Sequence, residues 1–229
     1  MIRAVVFDFD GVLANTEPLH FQALREILAE EAVDLSEGDY YGRYLGYDDV
    51  GAFGAIAADR GLRWDAEYMA GLIGRKAVRL EAIEGARSVL FPGAAAAIRR
   101  MADQHLLAIA SGAHRAEIAH VLDREHLSGY FAVVVAAGDT PVSKPAPEPY
   151  LCAVERLVAT TGVSLLPSEC MALEDSYWGL ESARAAGLRT VGIAHTYPAE
   201  ALVGAAEVVI PHLDHLTEEF LHRFVKSTL

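Results

Sequence analysis

The sequence predicts an α/β protein with a doubly wound, Rossmann-like parallel sheet core and an inserted α-helical cap domain. Three observations predict it. Short apolar or β-branched runs are each followed by a polar or Gly-containing turn and then by a longer helical pattern, the rhythm of a parallel sheet covered by helices. One interval, from about Asn15 to Gly85, breaks that rhythm: it holds no convincing buried-strand run and is dominated by helix-forming stretches. The length, 229 residues, exceeds one average domain and falls short of two, which suits a main body with a smaller insertion.

In chain order, strands are expected at Ile2–Phe9, Leu106–Ala110, Ala132–Ala136, Met171–Leu173, Thr190–Ile193 and Glu207–Ile210. Ala94–Gln104, Arg115–Arg124, Pro149–Thr160 and Tyr177–Ala186 read as the helices between them. Inside the interval, Phe21–Glu31, Val50–Arg60 and Ala66–Ala82 are the helical stretches. Hinges are expected at Asn15–Pro18 and at Ile83–Gly93, the second carrying the turn signal Pro92-Gly93. The core is therefore placed at 1–14 and 86–229 and the cap at 15–85. No repeat, low-complexity tract or charged tail interrupts this layout.

Hydrophobic residues make up 52% and charged residues 22%, the balance of a globular chain that can bury a substantial core. A net charge of −13 repels polyanions, so neither nucleic acid nor an anionic membrane surface is an expected partner. A small anionic substrate stays compatible, because a local cluster of cation, lysine and backbone N–H groups overrides the overall field at short range. Cys152 and Cys170 form neither a metal-spaced pair nor a disulfide framework, and read as structural thiols of a reducing compartment. The opening run from Met1 to Phe7 meets Asp8 too soon to be a signal-peptide core or a membrane span. A cytoplasmic protein is expected, as a monomer or small homo-oligomer.

Four residue groups carry candidate chemistry. The first is Asp8-Phe9-Asp10-Gly11, two carboxylates closing an apolar strand, where open α/β sheets bind their ligands. A regular strand would put both on one face, although the same residues also suit a strand end or turn. The second is Ser111-Gly112, which offers a hydroxyl and free N–H groups to a phosphate oxygen, unless Ser111 serves only as a helix cap. The third is Lys144, a lone lysine in a proline-stiffened loop, fitted to neutralise developing charge or else an ordinary surface residue. The fourth is Glu174-Asp175-Ser176, a second acidic strand end. It either caps the next helix or, beside the first, makes an all-oxygen pocket suited to Mg²⁺.

In this order, the four groups resemble the motifs of the haloacid dehalogenase-like (HAD) phosphohydrolase superfamily. Asp10-Gly-Val-Leu-Ala-Asn-Thr-Glu17 with His20, Ser143-Lys-Pro-Ala-Pro147, and Glu174-Asp-Ser176 followed by Gly179 and Ala183-Arg-Ala-Ala-Gly187 are similar to the subgroup of β-phosphoglucomutase and phosphoglycolate phosphatase. The resemblance spans essentially the whole chain and is weakest in the cap. It implies that Asp8 is the nucleophile that forms an aspartyl-phosphate and Asp10 the acid/base. It further implies Mg²⁺ held by Asp8, the Asp10 carbonyl, Glu174 and Asp175, with Ser111 and Lys144 clamping the phosphoryl oxygens. Asn15 stands where the subgroup commonly has an aspartate, which touches hinge hydrogen bonding more than chemistry.

A mutase of this subgroup anchors a second phosphate with a cap arginine in the segment corresponding to Gly46-Tyr47-Asp48-Asp49. Here that segment holds no basic residue, and its acidic pair is expected to repel a phosphate. Hydrolysis of a small phosphorylated metabolite is thus the expected reaction, with a sugar-phosphate mutase as the alternative and a catalytically idle binding or regulatory protein as the third reading. Dehalogenation is disfavoured because it has little use for Glu174 beside Asp175. His20, Arg43, Lys76 and Gly112 are the expected substrate contacts; Arg75 and Lys76 also read as a solvated helix face.

Overall fold

The computed structural model describes the whole chain apart from Gly46, Asp48, residues 85–87, the Glu84 side chain and residues 227–229. Contacts divide it into two compact units, Met1–Asn15 with Val89–Leu229, and Thr16–Ser88. The boundary expected at 85/86 falls outside the described residues.

The first unit is built on six strands: β1 (Ala4–Phe7), β2 (Leu106–Ala110), β3 (Val133–Val135), β4 (Cys170–Glu174), β5 (Arg189–Ile193) and β6 (Val208–Ile210). They pair in parallel in the order β3-β2-β1-β4-β5-β6. That order reverses direction between β1 and β4, the switch point where doubly wound sheets leave a crevice beyond the strand ends. Ala4, Val6, Ala108, Ala110, Cys170 and Ala172 pack under α7 (Glu148–Thr161) and α8 (Tyr177–Ala185). Val5, Phe7, Leu107, Ile109, Met171 and Leu173, of the opposite parity, are equally buried. Burial on both faces explains why the strands read as continuous apolar runs. Helices α5 (Ala94–Ala102) and α6 (Arg115–Arg124) complete the expected set.

Several boundaries differ from the sequence expectation. β1 stops at Phe7 because Gly11 turns at φ +77° while the N–H groups of Leu13 and Ala14 donate to the Phe9 carbonyl, curling the chain away from the sheet. Asp8 and Asp10 therefore do not lie on a regular strand. Two further helices, α9 (Ala199–Leu202) and α10 (Glu218–Lys226), were not anticipated. α10 buries Leu221 and Phe224, a three-residue spacing that belongs to one helix face.

The second unit contains α1 (Glu17–Glu30), α2 (Glu37–Asp39) running into a π-helical turn at Tyr40–Tyr44, α3 (Asp49–Arg60) and α4 (Ala66–Glu84). α1 begins four residues before the expected Phe21 and absorbs half of the expected hinge. Pro18 fits there because the first helical turn needs no N–H donor from it. Leu24, Ile27 and Leu28 of α1, Phe53 and Ile56 of α3 and Leu72 of α4 form a separate apolar core. One turn beyond Leu72, α4 carries Lys76, which is 2% exposed. Among the described residues, no helix is long and apolar enough to cross a membrane.

Candidate active site

Parallel register brings the carboxyl ends of the central strands together at one edge of the core. Phe7 pairs with Ile109 on one side and Leu173 on the other, and the Asp8 N–H donates to the Leu173 carbonyl at 3.0 Å. Asp8, Glu174 and Ser111 thus emerge together at adjoining strand ends, and Ser111 N–H is held by the Val135 carbonyl at 3.0 Å. Ser111 is buried and does not cap α6; His114 does. Its Oγ instead accepts the Ala113 N–H at 3.2 Å, folding the Ser111-Gly112-Ala113 turn on itself. A Cβ at Gly112 would meet open space. A cavity of about 270 Å³ runs past Ser111, Gly112, Ser143 and Lys144.

Lys144, next to a cis Pro145, is no surface lysine. Its Nζ donates to Asp8 Oδ1 at 2.9 Å and to Glu174 Oε1 at 2.6 Å, and lies 5.1 Å from the centre of the Tyr150 ring. Burial works against its charge, but Asp8 and Glu174 outweigh burial and push its pKa up. Glu174 is completely buried and saturated with donors. Oε1 also accepts from the Tyr150 hydroxyl at 2.9 Å, and Oε2 accepts from the N–H groups of Asp175 and Ser176 and from Ser176 Oγ. Ser176 Oγ in turn accepts the Gly179 N–H at 3.1 Å, capping α8. Glycine is required at two nearby positions: a Cβ on Gly179 would overlap the Glu174 carboxylate, and one on Gly11 would overlap that of Asp175.

Asp8, Glu174 and Asp175 each place a carboxylate oxygen within 4.8 Å of the others. Burial pushes Asp8 up to about 7, with Glu174 and Asp10 adding to the rise and Lys144 opposing it. Burial, then the charges of Asp8 and Glu174, likewise push Asp175 up to about 7, against a hydrogen bond from Thr196. Three buried carboxylates facing one ammonium leave an excess of negative charge that burial makes costly. A hard divalent cation fits this group on both counts, since the donors are all oxygen and the uncompensated charge has its sign.

Residues 2–187 match the family model described as haloacid dehalogenase-like hydrolase. The chain belongs to that family. Its relatives include the plasmid-encoded protein CbbY of Cupriavidus necator, 34% identical over 93% of this chain and 86% of that protein. The phosphorylated carbohydrates phosphatase of Thermotoga maritima is 29% identical over 91% of this chain and 94% of its own length. A crystal structure from Thermotoga maritima, provisionally named a β-phosphoglucomutase, superposes with a TM-score of 0.80 at 26% identity, covering all of both chains.

The HAD-like cap treats its expected contact residues unequally. Lys76 lies beside His20, Nζ to Nδ1 at 3.1 Å, and is ion-paired with Asp49. Because an ammonium can only donate, His20 Nδ1 is the acceptor and its ring proton sits on Nε2. Burial, followed by the Lys76 charge, lowers His20 to about 4 and keeps it neutral. Lys76 is therefore not part of a solvated face, whereas Arg75 is half exposed and paired with Glu30 and Glu31. Arg43 is exposed and salt-bridged to Asp59 at 2.6 Å, apart from the Lys76 cluster in its bonding. Asp49 is neutralised by Lys76 rather than free to repel an anion; Asp48, the other acid of that pair, and Gly46 lie outside the described residues.

Sequence reasoning missed Tyr150, Thr196 and His195. Tyr150 follows Lys144 by six positions, in the first turn of α7, and nothing in an isolated tyrosine there announces a partner 24 residues away. His195 and Thr196 stand on the β5–α9 loop, whose approach to the site exists only once the sheet is formed.

Proposed function

We propose that this HAD-like chain hydrolyses a small phosphorylated sugar, using Mg²⁺ and an aspartyl-phosphate on Asp8. The observation that carries the reading is Lys144 bridging Asp8 and Glu174 inside a buried group of three carboxylates at the sheet's switch point. A purely structural role would not concentrate uncompensated acid there. The phosphatase name of the Thermotoga maritima relative supports a carbohydrate ester as substrate.

Asp8 attacks phosphorus, so that its oxygen–phosphorus bond forms as the bond to the sugar oxygen breaks. Asp10 gives a proton to that departing oxygen, then takes one from the water that cleaves the Asp8–phosphorus bond. Ser111 Oγ, the N–H groups of its turn and Lys144 Nζ hold the remaining phosphoryl oxygens. Asp8, the Asp10 carbonyl and Asp175, with Glu174 beside them, would hold Mg²⁺, which screens an anionic nucleophile from an anionic ester. Water rather than a second sugar hydroxyl is the final acceptor in this reading. In the cap, Arg43 and Lys76 are already committed to Asp59 and Asp49, which leaves neither poised for a second phosphate.

The test is phosphate release from a panel of sugar monophosphates with Mg²⁺ or with chelator, read together with isomerised product. Mg²⁺-dependent release that disappears in Asp8→Asn is the expected result. Undiminished turnover in that variant, or isomerisation without release, would overturn it.

A further inference from the structure

The loop between β5 and α9 reaches the acidic group by two adjacent side chains. Thr196 Oγ1 donates to Asp175 Oδ2. His195 Nδ1 lies 3.0 Å from the Gly11 carbonyl, and since a carbonyl only accepts, Nδ1 carries the proton. The His195 ring is stacked on Phe91 with centroids 3.9 Å apart and planes 22° from parallel, so it cannot swing away without losing that contact. Three loops interlock as a result. A Cβ on Gly11 would overlap Asp175 and come within 3.0 Å of Thr196 Oγ1, so the turn after Asp10, the acidic strand end and this loop are packed at backbone distance.

We propose that Thr196 is a positioning residue that aims Asp175 at the divalent cation, with His195 anchoring the loop against the Asp10-Gly11 turn. The proposal rests on the reading that the acidic group holds Mg²⁺. Asp175 is 5% exposed, and a carboxylate that has lost most of its water is free to rotate unless the protein holds one oxygen. The Thr196 hydroxyl holds Oδ2 and thereby leaves Oδ1 for the cation. Partners of this kind, one step removed from a metal, typically contribute about 10- to 100-fold in metal affinity. A hydroxyl is needed and the methyl is not, so serine should replace threonine while valine, of the same shape, should not.

Mg²⁺ titration calorimetry on the metal-free full chain tests this without reference to turnover. Thr196→Val is expected to weaken Mg²⁺ binding by about 10-fold or more, and Thr196→Ser to return it to within about threefold of the parent. A melting curve of each metal-free variant separates positioning from folding, because a merely structural threonine would lower the melting temperature and leave the affinity of the folded fraction unchanged. Parent-like affinity in Thr196→Val, or no rescue by serine, overturns the proposal. A parent protein that takes up no Mg²⁺ overturns instead the metal reading on which it stands.

Discussion

Lys144 in the core is half-buried and Lys76 in the cap fully buried, and each faces carboxylate and aromatic neighbours. Lys144 confronts Asp8 and Glu174 directly, with Asp175 in the same acidic group, so its surroundings carry more negative charge than it can balance. Lys76 has one carboxylate, Asp49, and one neutral imidazole, so its charge is matched. Both lysines are largely withdrawn from water, but only the core leaves the account open for a further cation. An unbalanced buried cluster points to chemistry, and a balanced one points to holding a shape or a ligand.

Breaking the core cluster should give the largest effects. Asp8→Asn removes the proposed nucleophile and is expected to lower kcat by on the order of 10⁴-fold or more, while the melting temperature of the metal-free protein holds or rises because a repelled buried carboxylate is gone. Steady-state assays and thermal melts on one preparation check both halves. Lys144→Met should cost about 10²- to 10³-fold in kcat. It should also cost about 3–5 kcal/mol of stability, since Asp8 and Glu174 would face each other unpaired; urea titration reads the second value.

In the cap the same kind of change should be milder. Lys76→Met is expected to reduce kcat/KM by about 10-fold, equivalent to ~1.4 kcal/mol, without changing Mg²⁺ affinity. A loss as deep as that of Lys144→Met would erase the distinction between the two lysines. His20 supplies a pH signature. Its pKa falls from an ordinary 6.5 to about 4 on folding, so the unfolded chain binds more protons between those values. Its contribution is complete above pH 6.5 and is lost as pH falls toward 4, with an upper bound of ~3 kcal/mol. Stability measured across that window should flatten in His20→Gln. Arg79→Ala, which removes only solvent-exposed pairs to Glu26 and Glu30, should leave activity and melting temperature unmoved.

Much of the core was legible because its information is local. The strands are mostly apolar or β-branched runs, and each chemical group lies at or just after a strand or in a marked loop. What local sequence could not convey is where side chains from distant segments meet. The Tyr150 hydroxyl on Glu174 and the Thr196 hydroxyl on Asp175 depend on parallel register across the sheet. In the cap, sequence favoured Lys76 but read Asp49 as a repulsive charge. The correction comes from α3 and α4 packing together, which turns an isolated acid into the partner of a buried lysine. The missed α10 is a different failure: Leu221 and Phe224 had a helical spacing that could have been read.

Ala4, Val5, Val6 and Phe7 are all apolar and all fully buried, so these four residues alone do not set the register of β1 between its neighbours; the charged residues at its two ends, Arg3 and Asp8, do. A slip by one residue would carry Arg3 or Asp8 into a fully buried place, move Asp8 out of line with Lys144 and put a phenyl ring where its carboxylate stands. The ion pair at the strand end therefore works as an alignment mark for the central strand. Compactness would not reveal an error in it; a silent enzyme would.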